Sequence, residues 1–252
     1  MIYPDKGYIG CFEMEDKDAG KRQVAGYVEA LQKLGHKRII APIDGDTWHK
    51  YRLVSWSSGA PPFPLEPQNP LWYNEVFTEL GFVPLKEYRS DCFPITNIAP
   101  LAGAEIESGL QLRAYQGGDL RLIYDISLQG FDENFLYNDI TYEAFSALYE
   151  PVLPMVDPQL AVIALVDGCP AGFLFALGVG DMLILKSMAV LPAHRSRGIG
   201  AQLINHVLRA GEAKGLHTAI AALIAAGNNS HKIPSKYGSE QLRGYTLYSL
   251  EV

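Results

Sequence analysis

The stretch that most constrains this chain runs from Met182 to Lys214. Met182-Leu183-Ile184-Leu185-Lys186-Ser187-Met188-Ala189-Val190 reads as a largely apolar strand, and Ile199, Leu203, Ile204, Val207 and Leu208 then fall on one face of a helix over 198–214. Between them lies Arg195-Ser196-Arg197-Gly198-Ile199-Gly200-Ala201. After the helix, His217–Ala226 reads as another strand. A strand that feeds a helix and returns to a strand implies a parallel pair, and with it a layered α/β architecture.

The loop also constrains chemistry. The first amides of a helix have no intrahelical acceptor, and the helix dipole favours an anion there. Gly198 and Gly200 let the backbone approach a phosphate closely, and Arg195 and Arg197 add positive charge, so the loop suits a pyrophosphate. Two better-known phosphate loops fit less well. The dinucleotide pattern needs a third glycine where Leu203 stands and an acidic residue within 219–225, which is wholly apolar. A P-loop needs Gly-Lys-Ser/Thr, which the chain lacks.

Elsewhere the periodicity predicts helices over 19–34, 71–80, 119–128 and 141–153. It predicts strands over 8–12, 38–43, 83–90, 110–115, 161–166, 171–177 and 243–250. Asp167-Gly168-Cys169-Pro170 marks a β-hairpin, and residues 51–68, with Pro61, Pro62, Pro64 and Pro67, read as irregular. Shifting the chain by 180 residues superposes strand–helix–strand 8–43 on 188–223, with Gly20 on Gly200 and Gly35 on Gly215. The loops differ: Glu15-Asp16-Lys17-Asp18 stand where Arg195-Ser196-Arg197-Gly198 do, and carboxylates repel pyrophosphate. The expected organisation is a first domain over 1–95, a linker over 96–108 and a second domain over 109–252.

A net charge of −7 argues against nucleic acid, whose binding needs many basic contacts. The amino-terminal residues have no secretory pattern, and no run approaches the roughly 18 apolar residues of a membrane span, so a soluble, cytoplasmic protein is expected. Cys11, Cys92 and Cys169 are few and scattered, which suggests buried apolar fillers rather than a disulfide framework. No histidine spacing suggests a metal site.

Residues 182–201 resemble motif A of the GNAT superfamily, whose pattern Arg/Gln-x-x-Gly-x-Gly/Ala is met by Arg195, Gly198 and Gly200. Residues 8–90 resemble the later half of the same fold, with Asn69-Pro70, Tyr73, Phe77 and Gly81-Phe82 similar to its motif B. The resemblance implies a tandem GNAT fold: a mixed central sheet flanked by helices, with a degenerate amino-terminal partial repeat. It implies an N-acetyltransferase that carries acetyl from acetyl-CoA directly to a small-molecule or peptide amine, working as a pseudo-dimeric monomer or a homodimer. A non-catalytic acyl-CoA-binding module and a tRNA-dependent aminoacyl transferase stand as alternatives.

By position, the family's pyrophosphate contacts fall on Arg195, Ser196, Arg197, Gly198, Ile199, Gly200 and Ala201, and its acyl-facing strand on Met188, Ala189 and Val190. Asn228 and Ser230 follow the next strand, where they suit either the pantetheine arm or a helix cap. The family's acidic tyrosine is replaced by Pro234, which leaves Ser235, His231 and Tyr237 as neighbouring candidates for the acid. Lys186 and Ser187 stand where the family often has a glutamate base. Asp139, Glu143 and Glu150 suit either an amine-attracting groove or a solvated helix face. Trp48, Trp56 and Trp72 suit either a wall of the acceptor site or, more in keeping with large aromatics, the first half's own core.

Overall fold

The computed structural model describes residues 1–10, 12–96, 98, 107–228 and 232–252, with the backbone alone for Lys232 and Ile233. In chain order the elements are β1 (Ile2–Tyr3), β2 (Tyr8–Ile9), α1 (Lys17–Lys33), β3 (Arg38–Ala41), β4 (Leu53–Ser57), α2 (Tyr73–Glu79), β5 (Val83–Pro94), β6 (Leu110–Ala114) and α3 (Leu120–Gly130). They continue with α4 (Tyr142–Tyr149), β7 (Ala161–Val166), β8 (Cys169–Val179), β9 (Met182–Val190), α5 (Ile199–Ala213), β10 (Thr218–Ala225), α6 (Lys232–Ser235) and β11 (Glu240–Glu251). The fold is mixed α/β. No helix among the described residues is long and apolar enough to cross a membrane.

Two compact units share these elements. The first comprises Met1–Ser90, Leu223–His231 and Gln241–Val252, and the second Asp91–Ala222 and Lys232–Glu240. This partition follows compactness, whereas the 1–95 and 109–252 boundaries follow the sequence repeat, and much of the expected 96–108 linker lies outside the described residues.

In the second unit β6, β7, β8 and β9 form an antiparallel meander, and β10 joins β9 in parallel from Thr218↔Met182 to Ala221↔Leu185. β9 carries a bulge: Leu185 pairs with Ala176 and Ser187 with Phe175, so Lys186 is the extra residue. The bulge changes which face each side chain takes. Leu183 and Met188 lie an odd number of positions apart and would oppose each other in a regular strand. With one residue inserted, both meet α5, Leu183 at Gly211 and Met188 at Gly200. Ala189 faces the other way, against α3. A Cβ placed on Gly130 would sit 2.6 Å from that of Ala189, so only glycine lets α3 approach there.

In the first unit β2 runs parallel to β3. The last strand, β11, pairs antiparallel with β3 from Tyr248↔Ala41 to Glu251↔Arg38 and with β4 from Arg243↔Ser57 to Thr246↔Leu53. β4 was not expected; it lies inside the proline-bounded stretch read as irregular. Asn69 and Asn74 secure it, since Val54 N–H donates to Asn69 Oδ1 at 2.7 Å and Asn74 Nδ2 donates to Val54 C=O at 2.8 Å. The apolar stripe of α1, with Val24 and Leu31, closes on Val76, Phe77 and Phe82, and Tyr248 stacks on Phe77 with ring centroids 5.6 Å apart. Each fully buried side chain of this kind contributes about 1.5–3 kcal/mol. A buried ion pair adds specificity: Arg243 Nε donates to Glu66 Oε1 at 2.8 Å, with side chains only 5% and 1% exposed.

The 180-residue spacing holds at the helix ends. α1 ends with Gly35 N–H bonded to Gln32 C=O and His36 N–H to Leu31 C=O, and α5 ends with Gly215 N–H to Glu212 C=O and Leu216 N–H to Gly211 C=O. Both glycines have positive φ, +89° and +78°. This is the same left-handed cap, residue for residue.

Some expectations about side chains do not hold. Cys169 is exposed and Cys92 half-buried, so they are not sealed apolar fillers; Cys11 lies outside the described residues. Trp56, opposite Gly244 in the ladder with β11, is 46% exposed, whereas Trp72 packs on Tyr73 at the core's edge.

Candidate functional site

The candidate site begins where β9 ends. Leu191 N–H donates to Ala171 C=O, the chain makes a single tight turn over Pro192–His194, and Arg195 follows in extended conformation. Ser196 has φ of +64° and Gly198 of +77°, with Arg197 between them on the ordinary side. Such left–right–left alternation turns successive amides toward one concave side, a form that suits anions. Gly198 is the N-cap of α5 and no side chain bonds the helix start. The first intrahelical bond belongs to Gln202 N–H, to Gly198 C=O at 3.1 Å. The amides of Ile199, Gly200 and Ala201 therefore have no acceptor within the helix.

The two glycines differ in what they require. Gly198 holds a left-handed conformation that strains other residues. Gly200 is helical, and a Cβ there would meet Met188 Cε at 3.7 Å and Val190 Cγ2 at 3.9 Å, ordinary contact distances. The glycine-or-alanine choice at that place in the pattern has this physical basis.

The two arginines also differ. Arg195 turns away from the loop: its guanidinium donates to Gly130 C=O at 3.2 Å and Val190 C=O at 3.4 Å and pairs with Glu133. It braces the end of α3 against the end of β9. Arg197 is 52% exposed and pairs with Glu107 at 2.9 Å. Glu107 is 14% exposed, so an anion at this helix start would compete with a largely buried carboxylate for the guanidinium.

At the acyl-facing end, Met188, Ala189 and Val190 pair with Leu174, Phe173 and Gly172 of β8 on one side. On the other side the ladder with β10 ends at Ala221↔Leu185, immediately before the bulge. The outer edge of β9 from Lys186 to Val190 thus has main-chain groups outside that ladder. Sequence reasoning missed Tyr149. It stacks on Phe145 with centroids 4.4 Å apart, its hydroxyl reaches Ser187 beside the bulge, and burial pushes its pKa up. Its place in the helix predicted over 141–153 was visible, but the polar contact was not.

Among the acid candidates, Tyr237 stacks on Phe93 at 5.0 Å and 15°, and its O–H donates to Asn205 Oδ1 of α5 at 2.7 Å. Burial raises its pKa. Ser235 ends α6, and Pro234 C=O accepts from Tyr237 N–H at 2.9 Å. His231 and Ser230 lie outside the described residues. Asn228 is exposed, belongs to the first unit, and its N–H donates to Ala225 C=O at 3.1 Å. Glu143 is exposed, and Glu150 accepts from Ser146 Oγ at 2.6 Å, a local helix contact. Asp139 contributes to raising the Tyr137 hydroxyl, pushed up to about 12 with burial as the main cause. Among the described residues no cluster of three or more His, Cys, Asp or Glu could hold a metal ion.

A family model described as acetyltransferase (GNAT) family matches residues 123–234, which include β9, the loop and α5. No curated protein sequence matches the chain. Among solved structures, a GCN5-related N-acetyltransferase from Sphaerobacter thermophilus aligns with a TM-score of 0.63 at 14% identity, over 91% of this chain and 66% of that one. A tandem GNAT protein from the clavulanic acid biosynthesis pathway aligns with a TM-score of 0.54 at 14% identity, over 94% and 71%. A GCN5-related glucosamine N-acetyltransferase region of a fungal multi-domain β-N-acetylglucosaminidase aligns at 0.57 and 14%, over 89% of this chain and 27% of that one. The chain spans just under two thirds of the length of the Sphaerobacter protein. At these identities the likeness is one of fold. The segment 123–234, which carries the strand, the loop and the helix described above, thus matches the GNAT family, and the chain has a GNAT-like fold.

Proposed function

We propose that the chain is an N-acetyltransferase that moves an acetyl group from acetyl-CoA to an amine. The observation that carries this reading is the start of α5, where the helix lacks a side-chain cap beside the half-exposed Arg197. The amides of Arg197–Ala201 would hold the pyrophosphate, with Arg197 exchanging Glu107 for it. Arg195 keeps the loop's shape.

The chemistry then needs little from side chains. The amine nitrogen attacks the thioester carbonyl carbon, a C–N bond forms, and the carbonyl electrons move onto oxygen. Main-chain N–H groups on the outer edge of β9 are suited to receive that oxyanion. Collapse breaks the C–S bond, CoA leaves as thiolate, and the proton lost by the amine balances the one the thiolate takes up. Positioning can supply much of the acceleration because the thioester is already activated.

Calorimetric titration with acetyl-CoA, of the wild type and of Arg197→Glu, tests the loop. Binding that weakens roughly tenfold or more in the variant supports the reading; a wild type that does not bind acetyl-CoA overturns it. Mass spectrometry of an amine panel incubated with acetyl-CoA tests turnover. A second reading, acyl-CoA binding without transfer, draws on Pro234 at the usual acid position and on Tyr237 O–H being engaged with Asn205. Tight binding with no acetylated product across the panel selects it.

A further inference from the structure

Arg52 precedes β4 with φ of +67°, a left-handed conformation that costs a long side chain about 1–2 kcal/mol. Its N–H is bonded to Pro42 C=O at 2.9 Å. The residue is only 9% exposed. Its guanidinium carbon lies 4.1 Å from the ring centroid of Tyr51 and 4.2 Å from that of Tyr88, two rings that meet nearly perpendicular, and 5.9 Å from that of Tyr245. Nε and Nη1 are buried with no acceptor among the described residues.

Arg243 of the same unit shows how a buried guanidinium is ordinarily satisfied. It donates to Glu66, Ser57 and the carbonyls of Ala60 and Pro61. Glu66 in turn accepts from Tyr245 O–H at 2.6 Å and Phe63 N–H at 3.2 Å, so its charge is spent. Two ring faces stand nearly at right angles around Arg52, worth about 0.5–2 kcal/mol, but Nε and Nη1 meet no acceptor among the described residues. Each unsatisfied buried donor costs about 1–3 kcal/mol. Left-handed strain and a buried cation with two orphaned donors together mark a position suited to an anion.

We propose that Arg52, walled by Tyr51 and Tyr88, is a binding site for a carboxylate-bearing small molecule. One unbalanced positive charge matches one carboxylate. A planar carboxylate bonds a guanidinium best, through two parallel N–H donors. A phosphate would call for further cations or convergent amides, and Arg243, the nearby buried cation, is already committed to Glu66. Tyr51 is the partly exposed wall and turns aside to admit the ligand. The site lies within the first unit and stands independently of the acyl-CoA reading.

The test uses the full chain with 15N-labelled arginine, followed through side-chain Nε–H resonances and titrated with sodium benzoate and sodium acetate. Sodium chloride and inorganic phosphate serve as controls. The Arg52 signal, assigned by its loss in Arg52→Lys, is expected to shift saturably with the carboxylates while that of Arg243 stays in place. Tyr51→Leu, at the exposed wall, should weaken benzoate binding roughly threefold to fivefold. No saturable shift, an equal response to phosphate, or benzoate affinity left unchanged by Tyr51→Leu would each overturn the proposal.

Discussion

Two strand-to-helix turns in this chain, one in each unit, start from similar sequence frames and end differently. In the first unit Asp16 caps α1, its carboxylate accepting from Ala19 N–H at 2.7 Å. Met14 fills the space over Gly20, whose Cβ would sit 2.5 Å from its Sδ, and Met14 N–H is fixed by Tyr73 Oη at 2.7 Å. In the second unit the residue at the same 180-residue spacing from Asp16 is Ser196, the helix starts two residues later on that count, and no side chain closes it. One turn provides its own anion. The other leaves the same electrostatic demand open, and the difference teaches that a helix start becomes a ligand site by what is left off it.

Exchanging the decisive residue should produce the largest effect. Ser196→Asp puts the first unit's carboxylate into the second unit's loop, at a left-handed position that aspartate tolerates. Like-charge contact costs several kcal/mol, so acetyl-CoA affinity by calorimetry should fall roughly a hundredfold with the melting temperature nearly unchanged; retained affinity would break the comparison. Next, Gly20→Ala should lower stability by about 1–2 kcal/mol in urea unfolding, because Met14 must move within a packed core. Asp16→Ala should cost about 1 kcal/mol by the same measurement, the value of a lost N-cap. The smallest effect, of opposite sign, is expected for Gly200→Ala: contacts at 3.7 Å and beyond leave room, and alanine's helix propensity gives a gain of up to about 1 kcal/mol. A loss at Gly200 matching that at Gly20 would mean the two turns are packed alike after all.

Much of this was legible because it is local. The strand 182–190 was read with its observed bounds, and α1 and α5 to within two residues at each end, since apolar periodicity and a following glycine are written in neighbouring residues. The 141–153 helix was read too long: α4 stops at Tyr149, just before Pro151. β4 escaped notice because five residues carry little pattern and pair with β11, far away in sequence, while Asn69 and Asn74 hold Val54. The bulge at Lys186, the turning of Arg195 toward Gly130 and the bond from Tyr237 to Asn205 each join residues far apart in sequence. No spacing rule displays them.

The place of β11 carries a consequence for how this molecule is made. Thr246 Oγ1 donates to Ser55 Oγ across 191 residues of chain, and β3 and β4 both use β11 as a sheet neighbour. During synthesis the residues of the first unit emerge early yet must wait, edges unpaired, until residues 240–251 leave the ribosome. The second unit's meander, made of adjacent hairpins, can pair as it emerges. The part of the protein translated first is the part completed last, and a ribosome stalled before residue 240 releases open strand edges in search of a partner.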